Sequence, residues 1–432
     1  MDNNENFEFI KETRKDRPFN KRKFVTKLTV AIVLAVVFGF LAALCFTIGL
    51  HWFNDALYPE KVETVVIEED EEDENGWEEI ISDSEKTDVQ EENIATETVI
   101  NNIVEKVDVS IADFEALYAN MFQIAQDTAK AIVTVYGADA AGEWFDESFD
   151  NSESASGLIF ADNGKELLIL VNSAIVENAD TVNVEFSTGD IVQAQLKKLD
   201  SDISLAVIYI PLENLSDKIK ASIEMATLGS SNVPAIEGKA IIAIEKTQGL
   251  RPLIEYGFIA SNSEVEQLTD TDVKILTTDI YSSNHRSGIL VNLRGKVIGI
   301  INNNDDSDTI SVIKALSISD IKPFIENLSN SKDRAMLGIK GMNVSQRANE
   351  EQGIPKGAYV TEIIMDSPAM DAGIQSGDVI VSIDNIDINS FDSFKSTMSE
   401  KHPGDISRIK IKRFAQGEYK EVAFDITLDT IE

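Results

Sequence analysis

A hydroxyl nucleophile needs a base within reach, and the chain offers three imidazoles, at His51, His285 and His402. His51 borders a long apolar run and His402 lies near the C-terminus, while His285 falls in the β-rich middle of the chain with Ser287 two residues further along. Serine, histidine and carboxylate act together when separate strands and loops deliver them, which two near neighbours in sequence do not satisfy. A Ser287–Lys165 dyad has no spacing to recommend it over any surface lysine. The single cysteine, Cys45, sits in an apolar run, so there is neither a thiolate nor a zinc ligand set. Asp305, Asp306 and Asp308, near Asn302 and Asn303, lack the repeating ligands of a calcium loop. Gly137, Gly142 and Gly164 lack phosphate-loop spacing. No metal or cofactor is expected.

The elements that would carry any site are arranged behind one long apolar stretch. Leu28 to Leu50 contains no charged residue and is bounded by Lys27 and His51. At 1.5 Å per residue it reaches roughly 34 Å as a helix, enough to cross a bilayer core. The tail 1–27 carries eight basic against five acidic side chains, and the chain beyond the span is strongly acidic within a net charge of −37. The positive-inside rule then leaves the tail in the cytoplasm and the bulk of the chain outside it, at the cell membrane. An acidic exported surface disfavours nucleic acid as a partner. With its one cysteine in the span, the exported part must hold together by its core.

Residues 51–109 read as an acidic, disordered linker. The run Glu68 to Glu74 is wholly Asp and Glu and repels itself. From Ser110 to Lys130, Phe114, Leu117, Tyr118, Met121, Ile124 and Ala125 recur at helical spacing and predict an apolar stripe that packs on the adjoining domain. Beyond Ala131 come many short β-rich runs divided by Gly, Asn and Asp: 131–136, 157–160, 167–171, 181–186, 194–199, 205–210, 240–244, 257–260, 288–292 and 297–302. They predict an all-β barrel or sandwich. A helix at 318–328, with Ile321, Phe324, Ile325 and Leu328 inward, closes this domain of residues 110–328. A polar hinge at 329–336 leads to a second domain, 337–430, with helices at 367–372 and 390–400.

Several stretches carry a family resemblance. Leu290 to Ile300 (LVNLRGKVIGI) resembles the strand, turn and strand after the nucleophile in HtrA/DegP-type trypsin-like serine proteases. Ile169 to Asp180 (ILVNSAIVENAD) is similar to the strand and short helix around that family's catalytic histidine, and Asp200 to Val207 (DSDISLAV) to the segment bearing its aspartate. The second domain resembles a PDZ domain, through Leu337–Gly338–Ile339 and the run from Ala358 to Ile383. The resemblance implies a trypsin-like double β-barrel followed by an α+β PDZ domain, with one N-terminal transmembrane helix ahead of them.

The resemblance also implies a damaged catalytic site. Where the family has histidine this chain has Ala174, which cannot accept a proton, and where it has aspartate this chain has Ser204, which supplies no charge. The nucleophile position falls on Arg286 or on Ser287, depending on one deleted residue, and either placement alters the Gly-rich turn whose amides would stabilise an oxyanion. In the PDZ-like part, Leu337, Gly338 and Ile339 match the loop that receives a peptide's C-terminal carboxylate, and Phe391, Phe394 and Met398 the helix that flanks the groove.

The expectation is therefore a catalytically inactive, membrane-anchored pseudoprotease that binds C-terminal or unfolded peptide segments at the cell envelope as sensor, scaffold or modulator. The alternative is an atypical envelope serine endopeptidase using Ser287 with a non-standard base. The family assembles as trimers, which leaves a homo-trimer or hetero-assembly with active relatives open for this chain. The lipid bilayer is the remaining partner, through the N-terminal helix.

Overall fold

The computed structural model describes residues 63–68, 70, 110–138, 154–246, 251–282, 287–302 and 311–431. The predicted span 28–50 lies outside these residues. Among those described, no helix is long and apolar enough to cross a membrane.

Helix α1 (Ile111–Thr128) begins at a capping box, in which Ser110 and Asp113 satisfy each other's backbone N–H groups. Its expected stripe is only partly covered. Met121 and Ala125 are buried, whereas Ile111, Phe114, Leu117, Tyr118 and Phe122 are exposed. The barrel surface covers mainly the C-terminal turns of the helix, with Tyr118 further up meeting the ring of Tyr256 edge-on at 5.7 Å.

The first barrel closes in the order β1 (Ile132–Ala138), β2 (Ser154–Asp162), β3 (Glu166–Asn172), β6 (Leu205–Pro211), β5 (Ile191–Asp200), β4 (Thr181–Glu185). The short helix α2 (Asp217–Lys220) follows it. The second barrel closes as β10 (Ser287–Val291), β11 (Val297–Asn302), β12 (Ser311–Ser317), β9 (Thr271–Ser282), β8 (Leu253–Leu268), β7 (Ala240–Glu245). Strand alternation explains why the central strands read as unbroken apolar runs. In β3, Leu167, Ile169 and Val171 fill the first barrel, while Leu168 and Leu170 face a shared core with Ile242, Ile244, Ile289 and Val291 of the second. Strands β9 and β12 escape prediction from the sequence, because Thr, Asp, Lys and Ser interrupt their apolar residues.

Helix α3 (Ile318–Ser329) seats Ile318, Ile321, Phe324, Ile325 and Leu328 on that shared core. Its outer side holds part of the expected linker. Val65 N–H donates to Asn330 Oδ1 (3.0 Å), Asn330 Nδ2 donates to Val65 O (2.8 Å), and Ile67 N–H donates to Glu326 Oε2 (3.2 Å). Asp70 pairs with Lys322 at 2.7 Å and accepts from Ser230 at 2.8 Å. Burial pushes the Asp70 carboxyl up, but bonds from Lys322, Ser319 and Ser230 outweigh it and hold it below its ordinary value. The solvated-tether expectation for 51–109 is thus corrected over 63–68 and at Asp70. Val65 and Ile67 pack on the barrel core, and the buried ammonium of Lys322 recruits one carboxylate of the acidic run.

The C-terminal domain contains β13 (Ala335–Met336), β14 (Ile339–Asn343), α4 (Gln346–Gln352), β15 (Ala358–Ile363), α5 (Pro368–Ala372), β16 (Val379–Ile383), β17 (Ile386–Asp387), α6 (Phe391–Ser399), β18 (Ile406–Ala415), β19 (Glu418–Thr427) and β20 (Asp429–Thr430). Its sheet runs β14-β15-β16-β18-β19, with β17 on β16 and a small β13-β20 pair beside it.

The hinge expected at 329–336 is pinned rather than solvated. Arg334 lies 2.8 Å from Asp200 and 3.1 Å from Asp202 and stacks 4.4 Å over the Phe324 ring. Its Nε contact with Asp200 is an ion pair without hydrogen-bond alignment.

Candidate functional site

Two places could carry function: the cleft between the barrels and the loop that opens the C-terminal sheet. Strand β3 ends at Asn172, whose Oδ1 accepts from the Ala174 N–H at 2.8 Å and so starts a single 3-10 turn over Ser173–Ile175. Ser173 N–H donates to Ser204 O at 3.1 Å, which sets the Ala174 turn beside the Ser204 turn. Ser204 adopts φ +56° at the entry to β6, and Ala174 is exposed. The fold therefore brings these two positions together, and neither side chain is an imidazole or a carboxylate.

Ser287 approaches from the second barrel as the first residue of β10. Its Oγ accepts from the Ser156 N–H at 2.7 Å. Ser156 Oγ accepts from the Lys246 N–H (2.9 Å) and donates to Lys246 O (3.0 Å), so one serine stitches β2 to both β7 and β10. The space left here is a cavity of about 20 Å³ lined by Leu170, Asn172, Leu205, Ser287 and Ile289 among others. That is room for about one water. His285 and Arg286 lie outside the described residues. His402, beside Asp405 at 3.8 Å, belongs to the C-terminal domain.

Two lysines stand differently toward Ser287. Lys165 sits in the turn before β3, at the opposite end of that strand from Asn172 and roughly 20 Å away at strand rise. Lys246, which no sequence motif singles out, is buried next to the Ser156 stitch, and its amine points to Ile132 O at 3.4 Å. Burial pushes its ammonium down from the usual lysine range, opposed by the charge of Glu185. Among the described residues no cluster of His, Cys, Asp and Glu could hold a metal.

In the C-terminal domain, the amides of Leu337, Gly338 and Ile339 converge on one carboxylate, and it belongs to Asp270 at the tip of the β8–β9 hairpin. Leu337 N–H donates to Oδ2 (2.6 Å), Gly338 N–H to both oxygens (2.9 and 3.0 Å) and Ile339 N–H to Oδ1 (3.0 Å). Asp270 N–H in turn donates to Ile339 O at 2.8 Å. Three residues back, Gln267 Nε2 reaches Gly341 O at 3.4 Å, the next outward carbonyl of β14.

The amides can converge because Gly338 holds φ +92°, and an added Cβ there would stand 2.1 Å from the Ser367 Cβ. Asp270 itself sits in a two-residue turn at φ +60°, which Asp tolerates. Burial pushes its carboxyl up to about 6, against the opposing pull of the three amides and Arg334. The sequence signal for Asp270 is faint, since nothing in a hairpin tip 67 residues upstream ties it to Leu337.

The helix residues expected to flank a groove are placed differently. Phe391 and Phe394 stack at 5.4 Å, both 0% exposed, inside the domain core, and Met398 is buried beside them. The Phe391 ring lies so close to β14 that a Cβ on Gly341 would be 2.6 Å from it. They are core residues here because β14 and α6 close directly on each other. A larger cleft of about 650 Å³ lies outside this core, among Asp270, Asp272, Phe324, Arg334, Lys395 and Met398.

Comparison with known proteins agrees with this architecture. Residues 155–300 match the trypsin-like peptidase domain family and residues 335–428 the PDZ domain family. Serine protease HTRA1 of Xenopus tropicalis is 30% identical over 256 residues, 55% of this chain and 53% of that protein. The chain thus spans about half the length of this relative. Serine protease Do-like HtrA of Bacillus subtilis is 25% identical over 330 residues, 70% of this chain and 72% of that protein. Among solved structures, the HtrA-type protease AlgW with a decapeptide superposes with a TM-score of 0.51 at 22% identity, covering 72% of this chain and 98% of that one. At that identity the match speaks to the fold. The chain is thus similar to HtrA-type proteases, with a trypsin-like peptidase domain matched over residues 155–300 and a PDZ domain over residues 335–428.

Proposed function

We propose that this chain is a catalytically inactive, membrane-anchored HtrA-like protein that binds C-terminal or unfolded peptide segments at the cell envelope, as sensor, scaffold or modulator. One observation carries the reading: Ala174 stands where the base would be, beside a Ser204 turn that contributes no carboxylate. Proton transfer from a serine has no partner there. The engaged state of Ser287, whose Oγ already accepts a barrel amide, supports the same reading. Binding rests on the amide set of Leu337, Gly338 and Ile339, which presents a turn suited to a carboxylate next to a strand edge. The exposed apolar residues of α1 are the natural surface for homo-trimers or hetero-assembly with active relatives, and the apolar run 28–50 for the anchor.

The purified full chain should leave fluorescent casein intact over hours and bind C-terminal peptides carrying a free carboxyl. Casein cleavage that Ser287→Ala abolishes would contradict the inactive reading.

The second reading, an atypical serine endopeptidase, gains one observation. Lys246 is a buried lysine with a depressed ammonium, next to the end of β7, and β7 is hydrogen-bonded to the strand that bears Ser287. A lysine in this state is the kind of group that serves as a general base. That reading predicts activity lost in both Ser287→Ala and Lys246→Ala.

A further inference from the structure

The amide turn at Leu337–Ile339 holds a carboxylate already, and the pattern around it is that of a peptide's last residue. Three N–H groups receive the two carboxylate oxygens, the same residue returns its own N–H to Ile339 O, and the chain leading to it continues along the edge of β14 through Gln267 and Gly341 O. An arriving C-terminus adding to this edge would use the same donors and the same carbonyl. Resting on the peptide-binding reading of this domain, we propose that Asp270 is an internal stand-in for a ligand's terminal carboxylate, and that a partner with a free C-terminus binds by displacing the tip of the β8–β9 hairpin.

The alternative is a permanent staple between the two domains. Three facts favour displacement. The carboxylate is buried and, among the described residues, no ammonium or guanidinium lies within ion-pair distance of it: Arg334, whose charge reaches it, is engaged by Asp200 and Asp202, and Lys395 by Asp272 and Asp392. Its donors are backbone groups, which serve any carboxylate equally well. The group also sits on a two-residue turn, where movement need not disturb the barrel core. Release has a defined route into the peptidase domain: Thr269, next to Asp270, donates its N–H and Oγ1 to Asp202, two residues before Ser204.

The test uses the full chain and a pool of fluorescein-labelled decapeptides ending in Val, Leu, Ile or Phe, each as free acid and as C-terminal amide. Fluorescence anisotropy is read for the wild type, Asp270→Asn and Asp270→Ala. Both substitutions should tighten free-acid binding at least tenfold and leave the amides weak. Measurable binding of equal strength in all three proteins would overturn the stand-in while keeping the binding reading. No binding by any of them would overturn both. Since emptying the socket could harm folding, hydrogen exchange of the wild type gives an independent readout: saturating free-acid peptide should speed exchange at the Asp270 amide, and unchanged protection there under saturation would also overturn the proposal.

Discussion

Replacing Arg334 by Ala removes the one cation facing two carboxylates at the junction of the domains. Arg334, Asp200 and Asp202 have side chains 15%, 9% and 19% exposed, so the cluster is only thinly screened by solvent. Breaking a buried pair by removing one partner costs about 3–5 kcal/mol. Partial exposure favours the low end, and loss of the stack on Phe324 adds about 0.5–1 kcal/mol. The expected loss is therefore about 3–4 kcal/mol at pH 7.5, read from urea denaturation.

The deficit should shrink on acidification. Burial already raises the Asp200 carboxyl above its ordinary value, in spite of Arg334 and with a further push from Asp202. A carboxyl raised in the folded state contributes stability that is present below its unfolded value of 3.8 and is lost as pH rises through the folded value. Without Arg334 that folded value climbs further, so the variant loses more of this stability by neutral pH than the wild type does. A loss under about 1 kcal/mol at pH 7.5, or a deficit no smaller at pH 5, would show that Arg334 does not hold these carboxylates as a buried pair.

Three further outcomes rest on particular contacts. Gly338→Ala forces a Cβ onto Ser367 in a left-handed conformation and should cost about 3 kcal/mol, seen as a lower urea midpoint for the PDZ domain, with free-acid peptide binding abolished. Ser156→Ala removes the buried hydroxyl that serves both the N–H and the C=O of Lys246 and should cost about 2 kcal/mol, measured in the same way. Peptide binding in acid tests the exchange of one carboxylate for another: burial raises Asp270 to about 6 when seated and would raise a ligand's carboxyl in the same turn alike, so wild-type affinity should change little between pH 7.5 and pH 5, whereas in Asp270→Asn, with no carboxylate to displace, it should rise on acidification, both read by anisotropy. The charged groups around this carboxyl are Arg334, Asp200 and Asp202 on one side and Asp272 with Lys395 on the other, and they form ion pairs among themselves.

What the sequence disclosed was mainly periodicity and short-range motif. Strands such as β3 and β6 were legible because burial on both faces leaves them unbroken runs of Leu, Ile and Val, and α3 because its inward residues keep helical spacing. Strands β9 and β12 were not, since barrel strands with one solvent face mix Thr, Asp and Lys into the pattern. Ala174 and Ser204 could be singled out because motif order places them. Asp270, Lys246 and the docked segment at Val65, Ile67 and Asp70 could not, because each acquires its role from partners distant in sequence. Phe391 and Phe394 show the reverse error: a motif position suggested a ligand contact, whereas close approach of α6 to β14 at Gly341 makes them core.

If the proposal of an inactive peptidase domain holds, the barrel pair holds no activated serine. A fluorophosphonate probe, which labels a serine hydroxyl only when a base assists it, tests that directly on the purified full chain. No labelling above that of Ser287→Ala is expected after prolonged incubation at neutral pH. Rapid stoichiometric labelling that Ser287→Ala removes would contradict it.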